Sequence, residues 1–168
     1  MHSYDYWLII AFFAVVLVPA PFLGRFYYKV MEGQRTWLTP VFGPVERACY
    51  RLSGVDEHQE QSWQKYMLAL LAFNLTGFLL LFGILLFQDY LPLNPQKLPG
   101  QEWTLAFNTA VSFMTNTNWQ AYSGEASLSY FSQMVGLTTQ NFVSAATGAT
   151  VAVALVRGLS RQQTIHLG

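Results

Sequence analysis

The hexapeptide TNTNWQ, residues 115–120, is rich in short polar side chains, which occur both in ordinary turns and in loops that bind a cation. It follows an apolar stretch of 11 residues, Thr104–Met114. If that stretch is helical, its C-terminus presents unpaired carbonyl oxygens and about half a negative charge, which favours a cation and excludes an anion site. Asn tolerates left-handed backbone conformations, so successive carbonyl oxygens of the loop can turn inward and replace the hydration shell of an ion.

The length of Thr104–Met114 predicts where this loop lies. At 1.5 Å per residue the helix is roughly 16 Å long, about half of the hydrocarbon core of a bilayer. The preceding segment, residues 89–100, is rich in proline and is not expected to be helical. We therefore predict a re-entrant half-helix whose loop is enclosed by protein or lines a cavity. On the pattern alone, a surface amphipathic helix in an extracellular loop is the alternative.

Three apolar segments could position this unit in a membrane: Trp7–Leu23, Tyr66–Phe87 and Leu128–Val156. The first is near the lower length limit, and Pro19 and Pro21 are expected to bend or end it. The fold class predicted is an all-α membrane protein. It has an extra N-terminal span followed by one membrane–pore–membrane repeat, in which a re-entrant half-helix and a filter loop lie between two spans.

Composition agrees with this fold class and excludes others. The chain is 52% hydrophobic and 11% charged, with a formal net charge of zero, whereas soluble domains carry about 25% charged residues. A neutral chain provides no field to recruit a polyanion, which argues against a nucleic-acid binder. Neither a phosphate-binding loop nor a D-K-T-G phosphorylation sequence is present, so no catalytic residue is predicted and ATP chemistry is excluded from this chain.

Basic residues predict the orientation. Six of the nine Lys and Arg residues lie between the first two spans and two follow the third, whereas the outer segment holds only Lys97. The positive-inside rule then places the C-terminus in the cytoplasm, and the N-terminus and the TNTNWQ loop outside.

The third span contains polar residues that must face protein or water. A hydrogen-bonded contact with a neighbouring helix and a hydrated path are both open interpretations. The candidates for a polar path are Gln133, Gln140, Asn141 and Ser144.

The segment TNTNWQAYSGE (115–125), with LPLNPQKLPG before it and LSYFSQMVGLTTQNFVSAATG after it, resembles the potassium-binding A subunit of the Kdp-type potassium-transporting ATPases. The resemblance covers most of the chain and is strongest over residues 90–148. It implies a potassium-channel-like chain that selects K⁺ beside a P-type ATPase subunit, which hydrolyses ATP, and two small membrane subunits. Membrane lipid and a location in the bacterial inner membrane are also implied.

The resemblance implies roles for individual residues. The potassium filter of the first repeat would consist of Thr115, Asn116, Thr117 and Asn118. K⁺, the transported ion and the only cofactor expected, would bind through backbone carbonyls, those of Thr115, Asn116 and Thr117 above all. Gln120 and Gly124 would support the filter or border its outer entrance.

The chain departs from the family in repeat number, because family members have four repeats and this chain has one. Since a filter site needs carbonyls from about four loops, we expect a truncated part of a longer chain, unless several copies or partner chains supply the other loops. A passive homotetrameric potassium channel and a non-conducting membrane scaffold or remnant are the alternative functions. The expected domains are an N-terminal anchor with a cytoplasmic connection (1–65), the repeat (66–157) and a cytoplasmic tail (158–168).

Overall fold

The predicted apolar segments are helical in the structure, a computed structural model that describes residues 3–56 and 62–160. Within these ranges every regular element is a helix. The chain divides into two units, residues 1–59 and residues 60–168, which are described separately below. Residues 161–168 of the expected C-terminal tail lie outside the described residues.

The first unit contains helices α1 (Ser3–Leu17), α2 (Ala20–Met31) and α3 (Thr39–Ser53). The sequence predicts that the first apolar segment ends at Leu23, but in the structure it continues to Met31. The segment Tyr6–Met31 is therefore long enough to cross a membrane. The expected interruption at the prolines is present, because α1 ends at Leu17 and α2 begins at Ala20. Pro19 is the residue before α2, and Pro21 lies in its first turn. In the first turn of a helix a missing N–H leaves no hydrogen bond unmade.

The second unit contains the other two long apolar helices and the half-length helix between them. Helix α4 is Trp63–Leu86, α5 is Trp103–Met114, and α6 is the short turn Gly124–Ser127. A π-helical segment, Ser132–Thr138, continues directly into α7, Thr139–Ser160. The predicted boundaries of α4 and α5 therefore hold to within three residues.

Helix α5 packs against the second half of α4 and runs back along it. The Gln101 N–H donates to the Leu85 carbonyl (2.9 Å), which fixes the start of α5 at the end of α4. Further along, the Phe107 ring contacts Phe82 and Phe78, with ring centroids 6.2 Å and 5.5 Å away. Small residues on α5 allow this close approach, and the buried core contains Leu81, Leu85, Ala106, Ala110, Phe113, Leu128 and Leu137.

The π-helical segment lies where the third span crosses α4. A Cβ atom on Gly136 would be 3.0 Å from the Leu81 side chain and 3.3 Å from that of Ile84, so only glycine fits without displacing them. The Thr138 hydroxyl donates to the Gln133 carbonyl, five residues earlier (2.8 Å). Wider i→i+5 turns of this kind change the helical register. Gln133 and Gln140 therefore do not follow the spacing of a regular α-helix.

Candidate cation site at the end of the half-length helix

The loop after α5 folds back on the last turn of the helix. The Thr117 and Asn118 N–H groups both donate to the Ser112 carbonyl, at 2.9 Å and 3.2 Å. Asn116 and Asn118 have left-handed backbone, with φ of 59° and 57°. Asn is the non-glycine residue that adopts this conformation most readily. The loop therefore contains two asparagines in the left-handed conformation, separated by one residue, in agreement with the conformational preference expected of Asn.

The carbonyl oxygens of this loop are available to a ligand. Among the hydrogen bonds of the described residues, none ends on the carbonyl oxygen of residues 115–118. The loop N–H groups are occupied within the helix end, and the Thr115 hydroxyl contacts the Val111 and Ser112 carbonyls and the Thr117 hydroxyl. Unpaired carbonyls beyond the negative end of a helix attract a cation. The site therefore favours a positively charged ligand, as the sequence predicts.

Helix α7 holds the loop by hydrogen bonds to the two loop asparagines that have left-handed backbone. The Asn118 Nδ2 donates to Asn141 Oδ1 (2.9 Å), and the Ser144 hydroxyl contacts Asn116 Oδ1 (3.3 Å). Asn141 and Ser144 are three residues apart and so lie on one face of α7. The sequence predicts both as candidates for a polar path, and in the structure both contact the TNTNWQ loop.

The loop lies near the middle of the long helices, because its partner Asn141 is next to Gln140, which packs against the interior of α4. Gln140, one residue before Asn141, packs so closely on α4 that a Cβ on Gly77 would be 2.7 Å from its Oε1. Gly77 lies nine residues before the α4 end at Leu86, which corresponds to about 14 Å along the helix axis. The loop is therefore well separated from the end of α4 at which α5 begins.

The other candidate path residues point elsewhere. Gln133 Nε2 donates to the carbonyls of Gly124 (3.3 Å) and Leu128 (3.1 Å), so Gln133 stabilises the segment 124–128 that contains α6. Gln140 is 6% exposed and its Nε2 has no hydrogen-bond partner among the described residues. It borders a groove of about 380 Å³ between α4 and the third span. The four polar residues of the third span therefore lie in three different places: two at the TNTNWQ loop, one at α6 and one at this groove.

Gln120, the last residue of the TNTNWQ loop, is exposed.

Sequence reasoning missed Gln88, which is 0% exposed. Its Nε2 donates to the Pro99 (2.6 Å) and Ser127 (2.9 Å) carbonyls. Its Oε1 accepts from the Ser129 N–H and the Ser132 hydroxyl, both at 3.0 Å. One carboxamide therefore joins the end of α4, the proline-rich turn, α6 and the start of the third span. A glutamine at the end of an apolar run has no signal in the sequence that would distinguish it from an ordinary boundary residue.

The proline-rich turn leads into α5 by a close backbone approach. Gly100 passes so near the Leu86 carbonyl that a Cβ there would overlap it. Glu102 then caps α5, accepting from the Thr104 and Leu105 N–H groups and from the Thr104 hydroxyl. The Thr104 hydroxyl and then the backbone N–H groups hold the pKa of the Glu102 carboxyl below its ordinary value. An ionised carboxylate at this end complements the positive helix N-terminus.

The chain matches known proteins over nearly its whole length. Residues 10–168 match the family model described as KdpA, the potassium-transporting ATPase A subunit. The curated relatives include proteins named potassium-transporting ATPase potassium-binding subunit from Pseudomonas fluorescens (89% identical over 168 residues), Pseudomonas aeruginosa (71% over 168) and Nitratidesulfovibrio vulgaris (52% over 169). Each comparison covers all of this chain and 30% of the relative, so the chain spans about 30% of the length of these proteins.

Proposed function

Because the chain belongs to the KdpA family of potassium-transporting ATPase A subunits, we propose that its TNTNWQ loop forms one part of a potassium filter in an ATP-driven uptake complex. The relatives are named as potassium-binding subunits, which supports K⁺ as the ion bound and transported. The observation that carries the proposal is the row of unpaired carbonyls at residues 115–118, beyond the C-terminus of α5.

In this proposal α5 is a re-entrant half-helix. It starts beside the outer end of α4, and its loop lies at the level of Gly77 and Asn141, in the interior of two membrane-spanning helices. K⁺ loses water as the carbonyls of Thr115, Asn116 and Thr117 replace its hydration shell. The negative end of α5 offsets part of the cost of dehydrating the ion.

Binding depends on holding the carbonyls at fixed positions before the ion arrives. Asn141 and Ser144 hold the loop from α7, while Gln88 and Gln133 hold the outer segments that connect α5 to its neighbours. We assign a positioning role to these side chains and coordination to the loop backbone. Gln120 and Gly124 border the filter on its outer side.

The remaining carbonyls come from outside this chain. A filter site uses about four loops around an axis, and residues 115–120 are exposed here. We propose that the rest of the longer subunit covers them. ATP hydrolysis then belongs to a P-type ATPase subunit, and small membrane subunits complete the complex. The N-terminus and the filter loop face outward from the inner membrane, and the C-terminal end of α7 faces the cytoplasm.

A charge substitution in the full-length complex tests this function. Gln120→Arg places a cation beside the filter, so the K⁺ concentration for half-maximal ATP hydrolysis should rise, since like charges repel. Gln64→Arg at the start of α4 is the matched control and should leave it unchanged.

An unchanged K⁺ dependence in Gln120→Arg would overturn the placement of the filter. A stable homotetramer of this chain with potassium conductance would identify a passive channel instead. If K⁺ stabilised no assembly that contains the chain, a scaffold role would replace the proposal.

A further inference from the structure

Two aromatic and two cationic residues line one face of α2. Phe22, Arg25, Phe26 and Lys29 are spaced i, i+3, i+4 and i+7, the spacing of residues on the same side of a helix. The aromatic pair begins nearer the helix start, and Lys29 is in its last turn. Aromatic and cationic residues therefore alternate along this face, at the end of the Tyr6–Met31 segment.

The turn after α2 brings a third cation onto the same face. Gly33 has left-handed backbone with φ of 64°, and the Gln34 N–H donates to the Lys29 carbonyl (2.8 Å), which reverses the chain at the helix end. The Thr36 N–H donates to the Thr39 hydroxyl (2.8 Å), which fixes the second half of the turn. Arg35 lies between these two fixed points, so its position is set by the fold.

The face and the turn enclose a cleft of about 380 Å³, lined by Phe22, Arg25, Phe26, Lys29, Arg35, Thr36 and Trp37. The Phe26 and Trp37 rings close one side, with centroids 6.3 Å apart. We call this space the α2 cleft. No acidic residue lines it, and in the ranges 3–56 and 62–160 the structure shows no ion pair to any of its three cations.

Three like charges around one cleft repel one another unless an anion lies between them. We propose that the α2 cleft binds the phosphodiester headgroup of an anionic phospholipid. Arg and Lys both bind phosphate, Arg with two parallel hydrogen bonds. Basic pockets at the ends of membrane helices bind anionic lipid headgroups in the same way.

The aromatic lining favours a lipid over free phosphate. Phe22 is 69% exposed and Trp37 is 78% exposed, and both border the cleft at the end of an apolar helix long enough to span a membrane. Inorganic phosphate gains nothing from such rings, whereas the acyl chains of a phospholipid pack against them. This inference does not depend on the filter or on the direction of transport.

Brominated lipids test the proposal in the full-length complex, because bromine quenches a nearby tryptophan. Brominated phosphatidylglycerol is titrated into the detergent-solubilised complex, and the Trp37 signal is the part of the quenching that Trp37→Phe removes. Arg25→Gln combined with Lys29→Gln should raise the half-maximal lipid concentration about 25-fold, since each cation near the surface contributes about fivefold. Arg47→Gln combined with Arg51→Gln removes two charges from α3 and should leave that concentration unchanged.

Three outcomes would overturn the proposal: equal shifts in the two double variants, no shift in either, or displacement of the lipid by millimolar inorganic phosphate. The last result would identify a site for a free anion. Arg35→Gln, which lies in the turn outside the helix, should give a shift of about fivefold alone and serves if the double variant fails to assemble. Potassium-dependent ATP hydrolysis reports correct assembly of every variant.

Discussion

Asn118 combines left-handed backbone with a hydrogen bond to α7, and replacing it separates the two contributions. In Asn118→Gly the backbone conformation is free of strain, but the 2.9 Å bond to Asn141 is lost, at a cost of about 1 kcal/mol. In Asn118→Ala the same bond is lost and left-handed backbone adds about 1–2 kcal/mol. If all of this energy favours a displaced loop that does not bind K⁺, the affinity for K⁺ falls about fivefold in the glycine variant. In the alanine variant it falls about 30- to 150-fold.

The assay is the K⁺ concentration for half-maximal ATP hydrolysis by the full-length complex. Asn141→Ala removes the other side of the bond without changing the loop backbone, so it should weaken K⁺ binding about as much as Asn118→Gly. The two together should be no worse than either alone, because they remove one interaction. Equal effects of alanine and glycine at position 118, or additive effects of the pair, would refute the reasoning.

Three further predictions concern the elements that position α5. Gln88→Leu leaves two buried donors and two carbonyl acceptors without partners, so the subunit should lose at least about 3 kcal/mol of stability, seen as a lower thermal midpoint, whereas Gln64→Leu at an exposed site should not. Gly100→Ala should also lower the midpoint, since its Cβ overlaps an α4 carbonyl, whereas Gly83→Ala has open space and should be neutral or stabilising. Because the pKa of Glu102 is lowered in the folded protein, the stability from its cap is present above pH 4.5 and is lost as the pH falls below that value. Glu102→Gln should therefore reduce the difference between the thermal midpoints at pH 6 and pH 4. An undiminished difference would contradict the assigned cap.

The spans and the half-helix could be predicted because their lengths are local properties of the sequence. Tyr66–Phe87 and Thr104–Met114 are uninterrupted apolar runs, and the observed α4 and α5 follow them closely. Proline correctly predicted an interruption of the first span, since α1 ends at Leu17 and α2 begins at Ala20. Its effect depends on position within a helix, and the same residue that ends one helix can begin the next.

The contacts that hold the loop could not be predicted, because they join residues that are distant in the chain. The Gln88 side chain contacts residues 11 to 44 positions away, and Asn118 is 23 positions from Asn141. The π-helical segment likewise depends on how closely Gly136 approaches α4. Periodicity identified Asn141 and Ser144 as polar residues in an apolar helix, but the partner of each is set by packing.

The central claim is that the backbone carbonyls of the TNTNWQ loop bind a dehydrated potassium ion. An experimental structure of the full-length complex with Rb⁺ or Tl⁺ in place of K⁺ would locate the ion by its anomalous scattering. We predict a peak in direct contact with the carbonyl oxygens of Thr115, Asn116 and Thr117. A peak elsewhere in the subunit, or loop carbonyls turned away from every bound ion, would contradict it.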